Sequence, residues 1–195
     1  VRAWKQYPMP VPSTGTSSSR STIRVPSTDI TRNPDTGDIP TSEGDIQNAP
    51  VNIENDIAYL PPTGVQTELA TLDLYRRDDG KVRPLVLLVH GGSWVGGDKA
   101  GFAPKVAPWW VERGYVAAAV NFRLATKMGE FPIVKPKDQV QDIARALAWL
   151  LNNAEEYAIS TTGVVVLGYS SGAHLVALLG TDETYIQNEG VDVTS

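Results

Sequence analysis

Ser170 stands at the centre of Gly168-Tyr169-Ser170-Ser171-Gly172, a G-x-S-x-G pattern. The pattern follows an apolar run over residues 164–167 and opens a second apolar stretch through Leu175, Leu178 and Leu179. Those flanks are what a sharp strand-to-helix turn requires. Such a turn forces its middle residue into a strained backbone conformation, and small neighbours relieve crowding against the adjoining strand and helix. The hydroxyl then projects above the sheet, with a helix N-terminus beneath it that favours developing negative charge. A bare five-residue pattern would equally fit a glycine-rich turn built for shape; the strand before it and the helix after it favour a nucleophile.

A second segment complements the first. His90-Gly91-Gly92-Ser93-Trp94 comes directly after the apolar run 85–89. Paired glycines after a strand let backbone N–H groups face a cleft without side-chain obstruction, and such donors stabilise the oxyanion of a tetrahedral intermediate. The N–H groups of Gly92 and Ser93, joined by that of Ser171, are expected to form the oxyanion hole. His90 is expected to hold this loop by hydrogen bonds rather than to act as a base. Trp94 is the aromatic residue expected to touch substrate, whereas Trp109 and Trp110 read as core.

The elements that must position these residues follow from periodicity. Residues 55–60 suit a first short strand, and Leu72 and Leu74 alternate with polar neighbours as in a half-buried strand. The runs 85–89, 116–120 and 164–167 are continuously apolar, as in strands buried on both faces. Between them, 102–113 reads as a helix closed by Gly114. Residues 138–153 place Val140, Ile143, Ala144, Leu147, Leu150 and Leu151 on one helical stripe. Strands alternating with helices imply an α/β fold, a mostly parallel sheet with helices on both faces, in which the first two strands pair antiparallel at one edge. The ligand site of such a sheet lies at the carboxyl ends of its strands.

Three segments, His90 to Lys99 (HGGSWVGGDK), Asn121 to Ala125 (NFRLA) and Gly168 to Leu175 (GYSSGAHL), fall in order on these elements. Together they resemble the esterase/lipase (carboxylesterase) branch of the α/β-hydrolase superfamily, and within it the feruloyl-esterase-like and kynurenine-formamidase-like enzymes. The resemblance covers about residues 52–195. It implies an α/β-hydrolase fold in which Ser170 attacks an acyl carbonyl and the loop at His90 supplies the oxyanion hole. It also implies a structural Arg123 paired with an acid such as Asp142, and an Asp98 that caps or braces the loop entering the next helix.

The chain departs from that pattern in one respect. The superfamily's triad runs Ser, then Asp or Glu, then His. Beyond Ser170 lie Asp182, Glu183, Glu189 and Asp192, all close to the nucleophile helix, and a single histidine, His174. His174 is four residues from Ser170 on the same helix, but the elbow turns the hydroxyl away from that helix, so it is a poor base. The sheet is expected to be incomplete after the nucleophile helix, ending at Val193-Thr194-Ser195 with one edge unpaired. The triad acid and histidine are therefore expected on a companion chain or C-terminal fragment. A truncated product and a non-catalytic binding or scaffolding module remain alternatives, as does an arylformamidase-like amide hydrolase using the same machinery.

Composition sets the outer limits. Residues 1–50, rich in Ser, Thr and Pro, read as an arm or linker, and 51–195 as the N-terminal portion of a catalytic domain. A net charge of −5 disfavours nucleic acid and anionic membrane surfaces as partners; the partner that the resemblance implies is a small-molecule ester. No apolar run reaches the length of a membrane span. The absence of cysteine removes thiolate metal sites and a cysteine nucleophile, and no ligand cluster for a metal or organic cofactor is evident. Neither redox compartment is excluded; Ser/Thr/Pro-rich spacers are a compositional hint of a secreted or periplasmic enzyme.

Overall fold

The computed structural model describes residues 5–6, 50–60, 66–126 and 133–192. The N-terminal arm therefore lies outside the described residues, except for Pro50 and a two-residue strand β1 (Lys5–Gln6). Five further strands build one sheet: β2 (Val51–Ala58), β3 (Thr71–Arg77), β4 (Arg83–Val89), β5 (Val116–Val120) and β6 (Ile159–Gly168). Their order across the sheet is β2-β3-β5-β4-β6. The first two strands are antiparallel, as expected, and β3 also meets β5 antiparallel; β5, β4 and β6 run parallel. A last short strand β7 (Val191–Asp192) pairs with β1 rather than joining this sheet.

Helices α1 (Lys99–Glu112), α2 (Pro136–Asn152), α3 (Ser171–Thr181) and the single-turn α4 (Thr184–Gln187), with a 3₁₀ turn at Thr67–Leu69, complete the described elements. Alternation along the central strands sorts them into two cores. Leu85, Leu87 and Val89 of β4, with Val116, Ala118 and Val120 of β5, pack with the α2 stripe and with Leu175 of α3. Val86 and Leu88, with Ala117 and Ala119, face Ala103, Ala107 and Val111 of α1 on the opposite side. The alanines of β5 and α1 let that helix lie close to the sheet. Every residue named in both sets is at most 1% exposed, and each large aliphatic side chain so buried contributes roughly 1.5–3 kcal/mol.

The chain passes from β4 through α1 to β5 on one side, then returns through α2 across β4 to β6 on the other. The loops leaving β4 and β6 thus diverge at a topological switch point, where open α/β sheets form their clefts.

Several boundaries differ from those read in the sequence, each for a local reason. β2 starts at Val51 rather than at residue 55, because a bulge at Asp56, with φ of +57°, lets the strand continue through a register shift. α1 starts three residues earlier than 102, since Asp98 caps it through a hydrogen bond from the Ala100 N–H at 2.7 Å. β6 is half-buried along 164–168 rather than enclosed, being the outermost strand of the described sheet.

β3 is buried more fully than its alternation implied, and its Asp73 is 3% exposed. Lys99 accounts for that. Its ammonium lies 2.7 Å from Asp73 and 2.6 Å from Asp56, and Asp73 also accepts from the Asp56 N–H. The first residue of α1 is thereby tied to the bulge of β2 and the middle of β3. Removing one member of a buried pair leaves an uncompensated charge, which typically costs about 3–5 kcal/mol. Lys99→Met should lower unfolding stability by about that amount; in urea denaturation, a loss below about 1 kcal/mol would contradict this role for Lys99, being the size of an exposed pair.

Candidate active site

β4 and β6 are neighbours in register, with Val89 opposite Gly168, and the Tyr169 N–H donates to the Val89 carbonyl at 3.1 Å. The segments around His90 and Ser170 therefore leave the sheet side by side. Ser170 has φ of 53° and ψ of −119° and sits directly before α3, with Ala173 and His174 N–H groups donating to its carbonyl. This is a left-handed, strained backbone for a serine, held by the strand on one side and the helix on the other. Ser170 is exposed.

Close approach explains the glycines. A Cβ on Gly172 would come within 2.5 Å of the Val89 and His90 carbonyl oxygens, and one on Gly91 within 2.7 Å of the Tyr169 carbonyl oxygen and 3.0 Å of the Ser170 Cβ. The loop after β4 is thus wedged against the elbow. Gly92, at φ of +139°, turns the chain so that its carbonyl accepts from both Val95 and Gly96. Ser93 and Trp94 follow at φ of 54° and 65°, two successive left-handed residues without glycine's freedom. Among the described residues, the N–H groups of Gly92, Ser93 and Ser171 have no internal acceptor.

His90 is 2% exposed, stacks on Phe122 at 4.5 Å, and donates from Nδ1 to the Gly91 carbonyl at 2.8 Å. Burial pushes its pKa below the ordinary 6.5, so the ring is neutral at pH 7. His174 is exposed and accepts at Nδ1 from the Trp94 indole N–H at 3.3 Å, the two rings meeting edge to face at 5.5 Å. Neither imidazole is hydrogen-bonded to Ser170 among the described residues. Trp94 is 38% exposed, so it offers a ring surface next to the elbow helix. Trp109 and Trp110 lie on α1 against each other and are not part of this cluster; Trp109 is exposed beneath the Arg113 guanidinium rather than in the core as expected. A cleft of about 460 Å³ adjoins the elbow through Gly91 and Tyr169, with Phe102 and Val106 on its α1 wall; Ser170 does not line it.

A family model described as BD-FAE matches residues 72–193, more than half of the chain, including the segments around His90 and Ser170. The chain belongs to the BD-FAE family. Its sequence is 30% identical over 128 residues to the probable carboxylic ester hydrolase LipM of Mycobacterium tuberculosis, and 31% identical over 127 residues to esterase LipQ of the same organism. Each match covers 64% of this chain but only 27% and 28% of those relatives, so the chain spans about a quarter of their length. Among solved structures, esterase B from Lactobacillus rhamnosis aligns with a TM-score of 0.58 and 26% identity, over 73% of this chain and 44% of that one. The fold is that of the esterase α/β-hydrolases.

In this BD-FAE chain the surrounding polar residues fix the loops. The Arg123 guanidinium holds Asp142 by two hydrogen bonds of 2.7 Å, as the sequence resemblance implied, and that pairing raises the Arg123 pKa further above its ordinary value. Asp142, 1% exposed, also accepts from the Arg123 N–H and from Arg145. Asp98 does cap α1, and its second oxygen accepts from the Asn121 amide at 2.9 Å. Asn121 in turn accepts from the Lys99 N–H, and its own carbonyl receives the Tyr59 hydroxyl.

Asn121 stands in the NFRLA segment without a role legible from sequence, and Gln139 carries no motif. A buried amide just past an apolar strand was the available signal for the first; a glutamine on the apolar stripe of α2 was the signal for the second.

Asp98 also carries a pH dependence. Burial raises its pKa, but hydrogen bonds from the Ala100 N–H and the Asn121 amide, with the charge of Lys99, bring it below 3.8 overall. A depressed carboxylate stabilises the fold above its unfolded pKa and loses that contribution as pH falls through its folded pKa. The side chain is exposed, so water screens the charge interactions and the cap dominates. Asp98→Ala should cost about 1–2 kcal/mol at pH 7, and the gap to wild type should narrow as pH falls below the unfolded value of 3.8 towards the lower folded one. Denaturant unfolding at pH 7 and pH 3 checks both; a gap unchanged between the two would contradict the assignment.

Proposed function

We propose that this chain carries the nucleophile and oxyanion hole of a carboxylic ester hydrolase that works through an acyl-enzyme. The observation that carries this reading is the wedge of Gly91 against Ser170. It sets a strained, exposed serine beside three N–H groups, those of Gly92, Ser93 and Ser171, that have no internal acceptor among the described residues. The esterase names of the relatives favour the same chemistry.

In this scheme the Ser170 Oγ attacks the acyl carbonyl carbon as its proton passes to a general base. The carbonyl oxygen becomes an oxyanion facing the three N–H groups, each worth about 2.7–4 kcal/mol of barrier. Collapse breaks the ester C–O bond, and the base returns the proton to the departing alcohol. Water then repeats the sequence on the acyl-enzyme to release the acid. Trp94, fixed by His174, offers an apolar wall to the substrate.

His90 is neutral, and with Nδ1 donating to Gly91 its lone pair sits on Nε2, which is buried without a partner and out of reach of Ser170; His174 accepts at Nδ1 from Trp94, which leaves the proton of its neutral ring on Nε2. The base and its orienting acid are accordingly assigned to polypeptide outside these residues, either a C-terminal segment or a companion chain. Residues 51–195 would then be the N-terminal portion of the catalytic domain, with 1–50 an arm before it.

A fluorophosphonate probe should label the full-length wild-type protein at Ser170 and leave Ser170→Ala unlabelled, as read by peptide mass mapping. No labelling of the wild type would sink the esterase reading.

A further inference from the structure

Gln139 lies on α2 with no exposed surface. Its Nε2 donates to the Trp94 carbonyl at 2.7 Å and to the Arg123 carbonyl at 2.9 Å, while its Oε1 is buried without a partner. The two acceptors fix the amide's orientation, because the flipped amide would set oxygen against two carbonyl oxygens. One buried side chain therefore staples the loop after β4 to the loop after β5. The Trp94 carbonyl is gripped a second time by the Ala125 N–H at 2.7 Å.

The stapled point follows the strained turn. Ser93 and Trp94 are both left-handed, a conformation that persists only where the surroundings over-determine it. At the start of the turn, the Gly92 carbonyl is held by the Val95 and Gly96 N–H groups. Because the peptide bond is planar and trans, holding that carbonyl aims the Ser93 N–H in the opposite direction. At the end of the turn, the grip on the Trp94 carbonyl prevents the pair from relaxing out of the left-handed region.

We infer that Gln139 is a positioning residue for the proposed hydrolysis, acting through the Trp94 carbonyl to keep the Gly92 and Ser93 N–H groups aimed at the oxyanion. The inference rests on the esterase reading. Its amide is one turn away from Asp142, so α2 braces the site twice: Asp142 secures Arg123, and Gln139 secures the oxyanion loop itself.

The test uses full-length wild type, Gln139→Leu, which fills similar space without a donor, and Gln139→Glu, whose carboxylate would face two carbonyls. Activity on p-nitrophenyl acetate is normalised to Ser170 titrated with the fluorophosphonate, so that only folded sites are counted. Both variants should lose at least tenfold in kcat with KM within threefold of wild type. The Ki of a trifluoromethyl ketone, whose adduct places an oxyanion in the hole, should rise in parallel with the loss in kcat/KM. Gln139→Met serves the same comparison if Gln139→Leu does not fold. A kcat per titrated serine within threefold of wild type, or an unchanged Ki for the ketone, would overturn the inference. A wild type that takes up no probe would instead sink the esterase reading, and this inference with it.

Discussion

The contact on which the site depends is the one between the loop leaving β4 and the turn leaving β6. Parallel pairing brings Val89 opposite Gly168, and just beyond it the two backbones meet where only glycine fits: Gly172 abuts the carbonyls of Val89 and His90, and Gly91 abuts Ser170. Hydrophobic burial alone would not specify such a contact. The strands supply rigidity, since β4 and β5 are enclosed by helices on both faces, and the glycines supply the approach. Strain at Ser170, Ser93 and Trp94 is tolerated because it falls where both sides are anchored to that core.

Polar groups finish what packing begins. Asn121 joins β5 to the cap of α1 through Asp98 and Lys99, and Lys99 continues to Asp73 and Asp56. Arg123, Asp142, Arg145 and Glu189 make a second chain from the loop after β5 across α2 to the end of α4. Loops are ordinarily the least constrained parts of a fold. Here the loop after β4 and the described start of the loop after β5 are tied to each other and to α2 by Gln139, Asn121 and Arg123.

Much of this was legible in the sequence, and what was not is instructive. The sharp strand-to-helix turn at Ser170, the glycine loop and the α2 stripe could be read because each imposes a local rule: small residues at a tight approach, or apolar residues at helical spacing. The pairing of Arg123 with Asp142 and the cap at Asp98 came from resemblance to known esterases and are found as implied. Asp73 reads in sequence as the polar face of a half-buried strand, whereas it is buried against Lys99, a partner remote in sequence. Gln139 was hidden for the same reason, because its acceptors are backbone carbonyls that leave no trace in residue type. Long-range polar pairing is where periodicity gives no guidance.

The family places this chain among esterase α/β-hydrolases, and its central chemical claim is geometric: an oxyanion formed at Ser170 should point at Gly92, Ser93 and Ser171. A crystal structure of the full-length protein phosphonylated at Ser170 tests that most directly. The account predicts the phosphoryl oxygen at about 2.7–3.1 Å from those three nitrogens, with the left-handed turn at Ser93 and Trp94 unchanged. An adduct whose phosphoryl oxygen faces solvent, or is held by groups other than these N–H donors, would contradict it.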